Sequence, residues 1–212
     1  MPDIIKRVFI FSSNQRWTHW IIAAGVIFQL ASAWLIQHSD VDILAWSDWH
    51  SMAGQVLLLI LGYRIFLLSR PGSSHWRFLR PGREQRHIIV QTLKFYVSLG
   101  RLPCPDWYAF NPVWQPLYLL MIVILLLTSI SGYLIGSYMF PFGFTLPQIH
   151  SFLATLILYF TLAHIVFALL HDIKGKGGQI SAMLNGYKYF HIKDKPAQPE
   201  PTSVSLDSLL KK

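Results

Sequence analysis

The sequence predicts an all-α integral membrane protein whose core is a four-helix bundle. Hydrophobic residues make up 53% of the 212 residues and charged residues only 13%, which is too apolar for a soluble domain. Four apolar stretches are long enough to cross a hydrocarbon core, which takes about 20 helical residues. They lie at about 17–36, 50–68, 113–136 and 147–171. The first is expected to be retained, since it has no signal-peptide cleavage pattern.

Basic residues are confined to one side of the predicted bundle. Lys6, Arg7 and Arg16 precede the first span, and the other basic clusters lie between spans two and three and after span four. The loop 37–49 carries aspartates instead, and the loop 137–149 is uncharged. Because short cytoplasmic loops are enriched in Lys and Arg, both termini are expected to be cytoplasmic.

Charge and cysteine content exclude several classes of protein. The net charge of +8 follows from the membrane topology and gives no support to nucleic-acid binding. Cys104 is the only cysteine, which excludes an internal disulfide, a cysteine-ligated iron–sulfur cluster and covalent c-type haem. Any haem must therefore be held noncovalently. Cys104 itself is interpreted as an inert loop thiol.

The connection between spans two and three is long and polar. Its residues 84–99 have apolar side chains at helical spacing, which favours an interfacial helix on the inner membrane surface. Trp107, Tyr108 and Trp114 are interpreted as an aromatic belt at the membrane interface.

The chain after span four is polar. Its glycine-rich segment 175–178 lacks the preceding strand and the Gly-Lys-Ser/Thr spacing of a phosphate-binding loop. Residues 196–212 are rich in Pro and Ser, so they are predicted to be a disordered cytoplasmic tail. Residues 1–195 then form one transmembrane domain.

Four histidines lie inside or at the mouths of the apolar spans, where ionisable side chains are candidates for function. Hydrogen bonding to a neighbouring helix is the alternative for each. His150 and His164 are 14 residues apart on one helix, which puts them on one face and about 21 Å apart in depth. His50 shares the outer level with His150, and His19 shares the inner level with His164.

Two opposed pairs of neutral imidazoles suit two six-coordinate haems inside a bundle. Both axial positions of such a haem are filled, so electron transfer is the expected activity. His171 competes with His164 but is ranked lower, because a solvated histidine is the ordinary expectation at the inner water boundary. Arg64 suits either a haem propionate or snorkelling to the interface. Gly25 and Gly54 allow either close porphyrin approach or ordinary helix packing.

The ordered motifs resemble the di-haem cytochrome b subunits of membrane-bound nickel–iron hydrogenases and respiratory formate dehydrogenases, relatives of the bacterial cytochrome b-561 group. The resemblance covers nearly all of residues 14–190. It rests on RWTHW around His19, HSMAG from His50 with Arg64 further on, FNPVWQP before span three, IHSFLATLILYFTLAH ending at His164, and HDIKGKGGQISAMLNGYKYF after span four.

The resemblance implies two haem b cofactors whose irons are ligated by the two histidine pairs, in the inner membrane of a bacterium. It also implies a quinone site at the cytoplasmic end, with Asn111 and Gln115 as candidate contacts. Capping and interfacial hydrogen bonding are the alternative for these two residues.

Three functions remain open at this level. The first is an electron-transfer subunit between a periplasmic, hydrogenase-like oxidoreductase and the quinone pool of a respiratory chain, with quinone reduction at its own site. The loop before span four is short for a hydrogenase cytochrome b, so a periplasmic multihaem cytochrome is an alternative partner. The second is a stand-alone quinone oxidoreductase of the cytochrome b-561 type. The third is a haem-free scaffold or transporter.

Overall fold

The computed structural model of the chain describes residues 4–39, 42–72, 74–137, 141–174 and 178–192. The predicted tail at 196–212 and the glycine-rich residues 175–177 lie outside these ranges. The elements, in chain order, are β1 (Ile4–Phe9), α1 (Ser13–His38), α2 (Ile43–Ser69), α3 (Arg86–Val97), α4 (Trp114–Tyr133), α5 (Leu146–Lys174), α6 (Gln179–Asn185) and β2 (Tyr187–Ile192).

Four of the described helices are long and apolar enough to span a membrane: α1, α2, α4 and α5. Their large apolar side chains point mainly outward, as Leu59 (74% exposed) and Tyr159 (66% exposed) illustrate. Outward apolar surface is stable when the surrounding medium is lipid. The prediction of a four-helix membrane bundle is therefore confirmed.

Helix contacts set the order of the bundle. Helix α1 packs on α2, α2 on α4, and α4 on α5. The shared core is a small apolar cluster contributed by all four helices: Val26, Leu57, Leu61, Met121 and Ile157. Helix α2 begins at Ile43, since the apolar residues before His50 continue the helix, so His50 lies inside α2 rather than at its start.

A two-stranded antiparallel sheet joins the two ends of the described chain, a feature that the sequence analysis did not anticipate. Strand β1 pairs with β2 from Phe9 opposite Tyr187 onward. Gly186 makes the turn into β2 possible, because its φ of 89° suits glycine and a Cβ there would lie 2.8 Å from the Phe11 carbonyl. The sheet places β1 and β2 at the same end of the bundle.

We call this end the basic end. It comprises the sheet, α6 and the connection between α2 and α4, and it carries the basic clusters of the sequence. The far end is the opposite one, where α1 connects to α2 and α4 connects to α5. Helix α3 lies in the basic-end connection, within the segment predicted to be an interfacial helix.

Candidate functional site

Two pairs of histidines face each other inside the bundle. At the far end, the rings of His50 on α2 and His150 on α5 have centroids 6.2 Å apart and planes inclined by 76°. Nearer the basic end, the rings of His19 on α1 and His164 on α5 have centroids 6.1 Å apart and planes inclined by 66°. The structure thus brings together the same two pairs that helix spacing and topology select.

Hydrogen bonds orient both rings of the far-end pair. Nδ1 of His150 lies 2.9 Å from the Thr128 carbonyl oxygen. A carbonyl can only accept, so Nδ1 carries the proton and Nε2 keeps a lone pair. Nδ1 of His50 lies 2.8 Å from the Ser32 hydroxyl, which has the Gln29 carbonyl as an acceptor 3.2 Å away and can accept in turn. Both rings can therefore present Nε2 as a metal ligand.

Gly132 on α4 makes room for the His150 ring. A Cβ at position 132 would lie 2.9 Å from Cε1 and 3.1 Å from Nδ1 of His150. By contrast, Gly25 faces the Leu57 side chain and Gly54 faces the Gln29 amide. The latter two glycines therefore serve contacts between α1 and α2, and Gly132 is the glycine at a histidine, which the sequence analysis missed.

Aromatic rings surround the pair near the basic end. Phe160 stacks on His164 with the planes 4° apart, and Trp114 meets His164 edge-on with centroids 5.5 Å apart. Trp20 meets His19 in the same edge-on manner. No hydrogen bond joins either imidazole to another of the described residues, so both rings keep a nitrogen available for a metal.

The ring spacing fits iron held between two imidazoles. Two metal–nitrogen bonds of about 2 Å, with the half-rings behind them, separate the ring centroids by roughly 6 Å. Both pairs match this spacing. Among the described residues, no group of three or more His, Cys, Asp or Glu side chains is arranged for a metal ion. Each pair offers two imidazoles, the number that a bis-histidine haem requires, whereas a zinc site usually has three or four protein ligands.

Arg64 is buried in the bundle and does not snorkel to the interface. Its side chain is 2% exposed, and its Nε donates a hydrogen bond of 2.7 Å to the Tyr118 hydroxyl on α4. Burial arises because Arg64 is on the face of α2 that packs against α4. The snorkelling alternative is therefore wrong for this side chain.

The two quinone candidates differ in how far their polar atoms are occupied. Asn111 accepts a hydrogen bond from the Val113 amide through Oδ1 and donates one of 2.6 Å to the Tyr96 hydroxyl through Nδ2. These contacts resemble capping of α4. Gln115 is 6% exposed, and its buried Oε1 has no hydrogen-bond partner among the described residues.

His171 is buried within a polar cluster at the basic end, so the expectation of a solvated histidine is wrong. Its ring is 5% exposed, because α3 and the segment before α4 cover it. The Tyr96 hydroxyl receives N–H bonds from Asn111 and from Trp114 at 2.7 Å, so its own proton points to His171 Nε2, 2.8 Å away. Nδ1 of His171 lies 3.2 Å from the Cys104 sulfur.

Burial changes the acid–base properties of this cluster outside the spans. It raises the pKa of Tyr96 to about 12, so the phenol stays protonated near neutral pH and can donate. Burial also raises the pKa of Cys104 to about 11, with a further increase from Asp106. The same cause lowers the pKa of Lys188 to about 8, although Asp106 opposes it.

Trp107 also belongs to this cluster rather than to an interfacial belt. Its ring is buried, it meets His171 edge-on at 4.9 Å, and its carbonyl accepts a hydrogen bond of 2.6 Å from Lys188. The belt interpretation is wrong for Trp107 because β2 and α5 cover the side chain. Tyr108 remains exposed.

A helical membrane bundle with two pairs of opposed histidines at two depths has the architecture of a membrane b-type cytochrome. The chain belongs to the prokaryotic cytochrome b561 family, whose family model matches residues 10–186. This match confirms the family resemblance that the ordered motifs indicate. No curated protein and no solved structure matches the chain.

Family membership fixes the broad function. The chain is a multi-pass membrane b-type cytochrome that acts in electron transfer, and the family implies haem b as the cofactor. The hydrogen bonds that orient His50 and His150, and the centroid distances of 6.2 Å and 6.1 Å in the two histidine pairs, fit that cofactor.

Proposed function

We propose that the chain is the membrane subunit that transfers electrons between a periplasmic oxidoreductase at its far end and quinone at its basic end. It binds two haem b groups, one between His50 and His150 and one between His19 and His164. The observation that carries this proposal is the presence of two facing histidine pairs with centroid distances of 6.2 Å and 6.1 Å.

A bis-histidine haem supplies one-electron transfer with no open coordination position for a substrate. The protein's part is to hold each pair of rings in place. Thr128 and Ser32 orient the far-end rings, and Phe160 and Trp114 confine His164. Helix α5 contributes one ligand to each site, and its rise of 1.5 Å per residue separates the two levels by about 21 Å.

Quinone is proposed to bind beside the pair of His19 and His164, with Gln115 as its direct contact. The buried Oε1 of Gln115 lacks a partner among the described residues, and it can accept a hydrogen bond from the hydroxyl of a quinol. Gln115 follows Trp114, whose ring touches His164. Asn111 is engaged by Tyr96 and by the start of α4, so we assign it a supporting role.

The sidedness of the proposal follows from charge. The basic end is assigned to the cytoplasm of a bacterium with the chain in its inner membrane, because Lys and Arg favour that side. The electron-exchanging partner is then periplasmic, a hydrogenase-like subunit or a multihaem cytochrome. Membrane lipid surrounds the exposed apolar faces of the four spanning helices.

A haem-per-chain assay with a reduced-minus-oxidised spectrum of the purified protein tests the cofactor assignment. We expect about two b-type haems per chain. Replacement of His150 by Leu should remove one haem, and replacement of His164 by Leu the other. His87→Leu is the matched control, since His87 is exposed on α3. Full occupancy in either ligand variant would contradict the pairing.

Quinone reduction tests the second half of the proposal. Gln115→Leu should slow electron transfer to a soluble quinone analogue and leave both haems bound. Gln91→Leu, which changes an exposed glutamine on α3, should have no effect. Equal rates in the two variants would exclude Gln115 as a quinone contact.

A second candidate is a stand-alone quinone oxidoreductase. The short connection between α1 and α2 favours it, since α1 ends at His38 and α2 begins at Ile43, so this connection offers little chain to a partner. This candidate predicts that the purified protein alone transfers electrons between a small donor and quinone. The partnered function predicts activity only after a donor protein is added.

A further inference from the structure

Arg64 is a cation buried in the bundle, and none of the described residues pairs it with a carboxylate. Its guanidinium Nη1 is buried and has no hydrogen-bond partner among the described residues. The Asp and Glu residues of the described chain lie beyond the ends of the spans or in their end turns, at Asp42, Asp48, Glu84, Asp106 and Asp172. A buried charge left unpaired is strongly unfavourable, which indicates that an anionic group binds here.

Two further donors accompany Arg64. The Tyr118 hydroxyl accepts from Arg64 Nε at 2.7 Å, which leaves its own proton free to donate. Gln15 on α1 is 1% exposed, and its buried Nε2 also lacks a partner among the described residues. Unsatisfied buried donors are rare in proteins and call for an explanation.

The packing of α1 on α2 places Gln15 close to Arg64. Ser32 faces His50, and Gly25 faces Leu57 further along the same antiparallel contact. Continuing this register puts Thr18 opposite Arg64. Gln15 is then about one helical turn nearer the basic end, on the buried face that includes Thr18 and Ser32.

The same register identifies the neighbouring cofactor site. Residue 19, adjacent to Thr18, is one of the two histidines of the pair near the basic end. We propose that Arg64, Tyr118 and Gln15 form a carboxylate-binding site, and that its ligand is a propionate of the haem held by His19 and His164. This inference rests on the proposed function, because it assumes a haem at that pair.

Other anions share the necessary chemistry. A lipid phosphate or a fatty-acid carboxylate also offers anionic oxygens to a guanidinium. The propionate is favoured because the three donors lie beside the histidine pair rather than at the lipid-facing surface, where Arg64 and Gln15 would be exposed.

Redox titration of the purified two-haem protein tests the site. In Arg64→Met, the midpoint potential of the haem bound by His19 and His164 should fall, because an unpaired propionate charge favours ferric iron. Arg64→Lys should restore part of the difference. The other haem should be unaffected. Arg70→Met is the matched control, since Arg70 is exposed just after α2.

A second variant and a second cofactor keep the test decisive. Gln15→Leu retains Arg64 and should give a smaller fall of the same midpoint potential. This variant still tests the site if Arg64→Met fails to fold. Apoprotein reconstituted with haem dimethyl ester has no propionate charge, so the difference in potential between wild type and Arg64→Met should be clearly smaller with this cofactor.

Three outcomes would overturn the inference, and they are distinguishable. Unchanged potentials in folded, haem-loaded Arg64→Met and Gln15→Leu would exclude the site. An Arg64 dependence as large with the dimethyl ester as with haem b would show that the propionate is not the ligand of the site. A wild-type protein that binds no haem at His19 and His164 would overturn the proposed function itself, before any variant is compared.

Discussion

A buried imidazole needs space before it can bind a metal, and at His150 that space depends on Gly132. The ring is tied to the Thr128 carbonyl, so it has little freedom to move away from an added methyl group. We expect Gly132→Ala to cost about 1–3 kcal/mol of local packing and to lower the occupancy of the far-end haem. A haem-per-chain assay measures the loss.

Gly62→Ala is the control for this substitution. Gly62 lies within α2, and a Cβ there would meet no atom within 4 Å. Alanine should therefore leave both haems in place and favour the helix. Equal haem content in Gly132→Ala and Gly62→Ala would show that the His150 ring can move aside.

Cys104 offers a residue-scale test of the basic-end cluster, because it is the only thiol in the chain. Burial, with a contribution from Asp106, raises its pKa to about 11, while Lys188 opposes the increase. The thiolate is the reactive form, so alkylation at pH 8 should be about a hundredfold slower than for an ordinary cysteine. Mass spectrometry of the alkylated protein follows the rate.

The sign of the Asp106 effect provides the check. In Asp106→Asn the negative charge that raises the thiol pKa is gone, so alkylation of Cys104 should accelerate at pH 8. Asp48→Asn at the far end is a control that should leave the rate unchanged. A slower reaction in Asp106→Asn would contradict the proposed electrostatics.

At the scale of elements, a helix was predictable where a long apolar run, or apolar residues at helical spacing, indicated contact with lipid or with the membrane surface. The four spans, and α3 within its amphipathic segment, follow from such local patterns. The pairing of the histidines followed from the 14-residue spacing on α5 and the antiparallel course of its neighbours. A family resemblance added the order of the motifs.

Contacts between distant segments were not predictable from local patterns. Strands β1 and β2 lie at opposite ends of the described chain. Neither is followed by a hairpin turn or shows an alternation of polar and apolar residues that would predict its pairing. Burial of His171 depends on α3 and on the segment carrying Cys104 folding over the end of α5. The fit of Gly132 against His150 likewise depends on the packing of α4 on α5.

Tyr96 is one of three buried side chains, together with Thr92 and Phe95, that attach helix α3 to the bundle. The Tyr96 hydroxyl accepts hydrogen bonds from Asn111 and Trp114 and donates to His171. Tyr96→Phe leaves buried donors without an acceptor, at a cost of about 1–3 kcal/mol. We expect a lower thermal unfolding midpoint and, because Trp114 touches His164, a changed spectrum of the haem near the basic end.

Tyr108→Phe separates this effect from the general loss of a phenol. Tyr108 is 67% exposed, so its hydroxyl can bond to water in either state. Its unfolding midpoint and both haem spectra should match the wild type. Should Tyr96→Phe behave in the same way, the hydroxyl would not be what couples α3 to the bundle.

For the whole molecule, the direction of the electron path depends on which end faces the cytoplasm. Basic residues near the sheet and α3 predict that the basic end is cytoplasmic, because they favour that side during insertion. Single-cysteine variants in a Cys104→Ser background test this. Leu44→Cys, at a position 83% exposed, reports on the far end, and Glu84→Cys reports on the basic end.

A membrane-impermeant maleimide applied to intact spheroplasts should label Leu44→Cys at once. It should label Glu84→Cys only after the membrane is permeabilised, and Cys104→Ser alone should remain unlabelled throughout. The reverse pattern would put Gln115 and the proposed quinone site near the periplasm. The proton taken up on quinone reduction would then come from outside, and the partner proposed for the far end would have to be cytoplasmic.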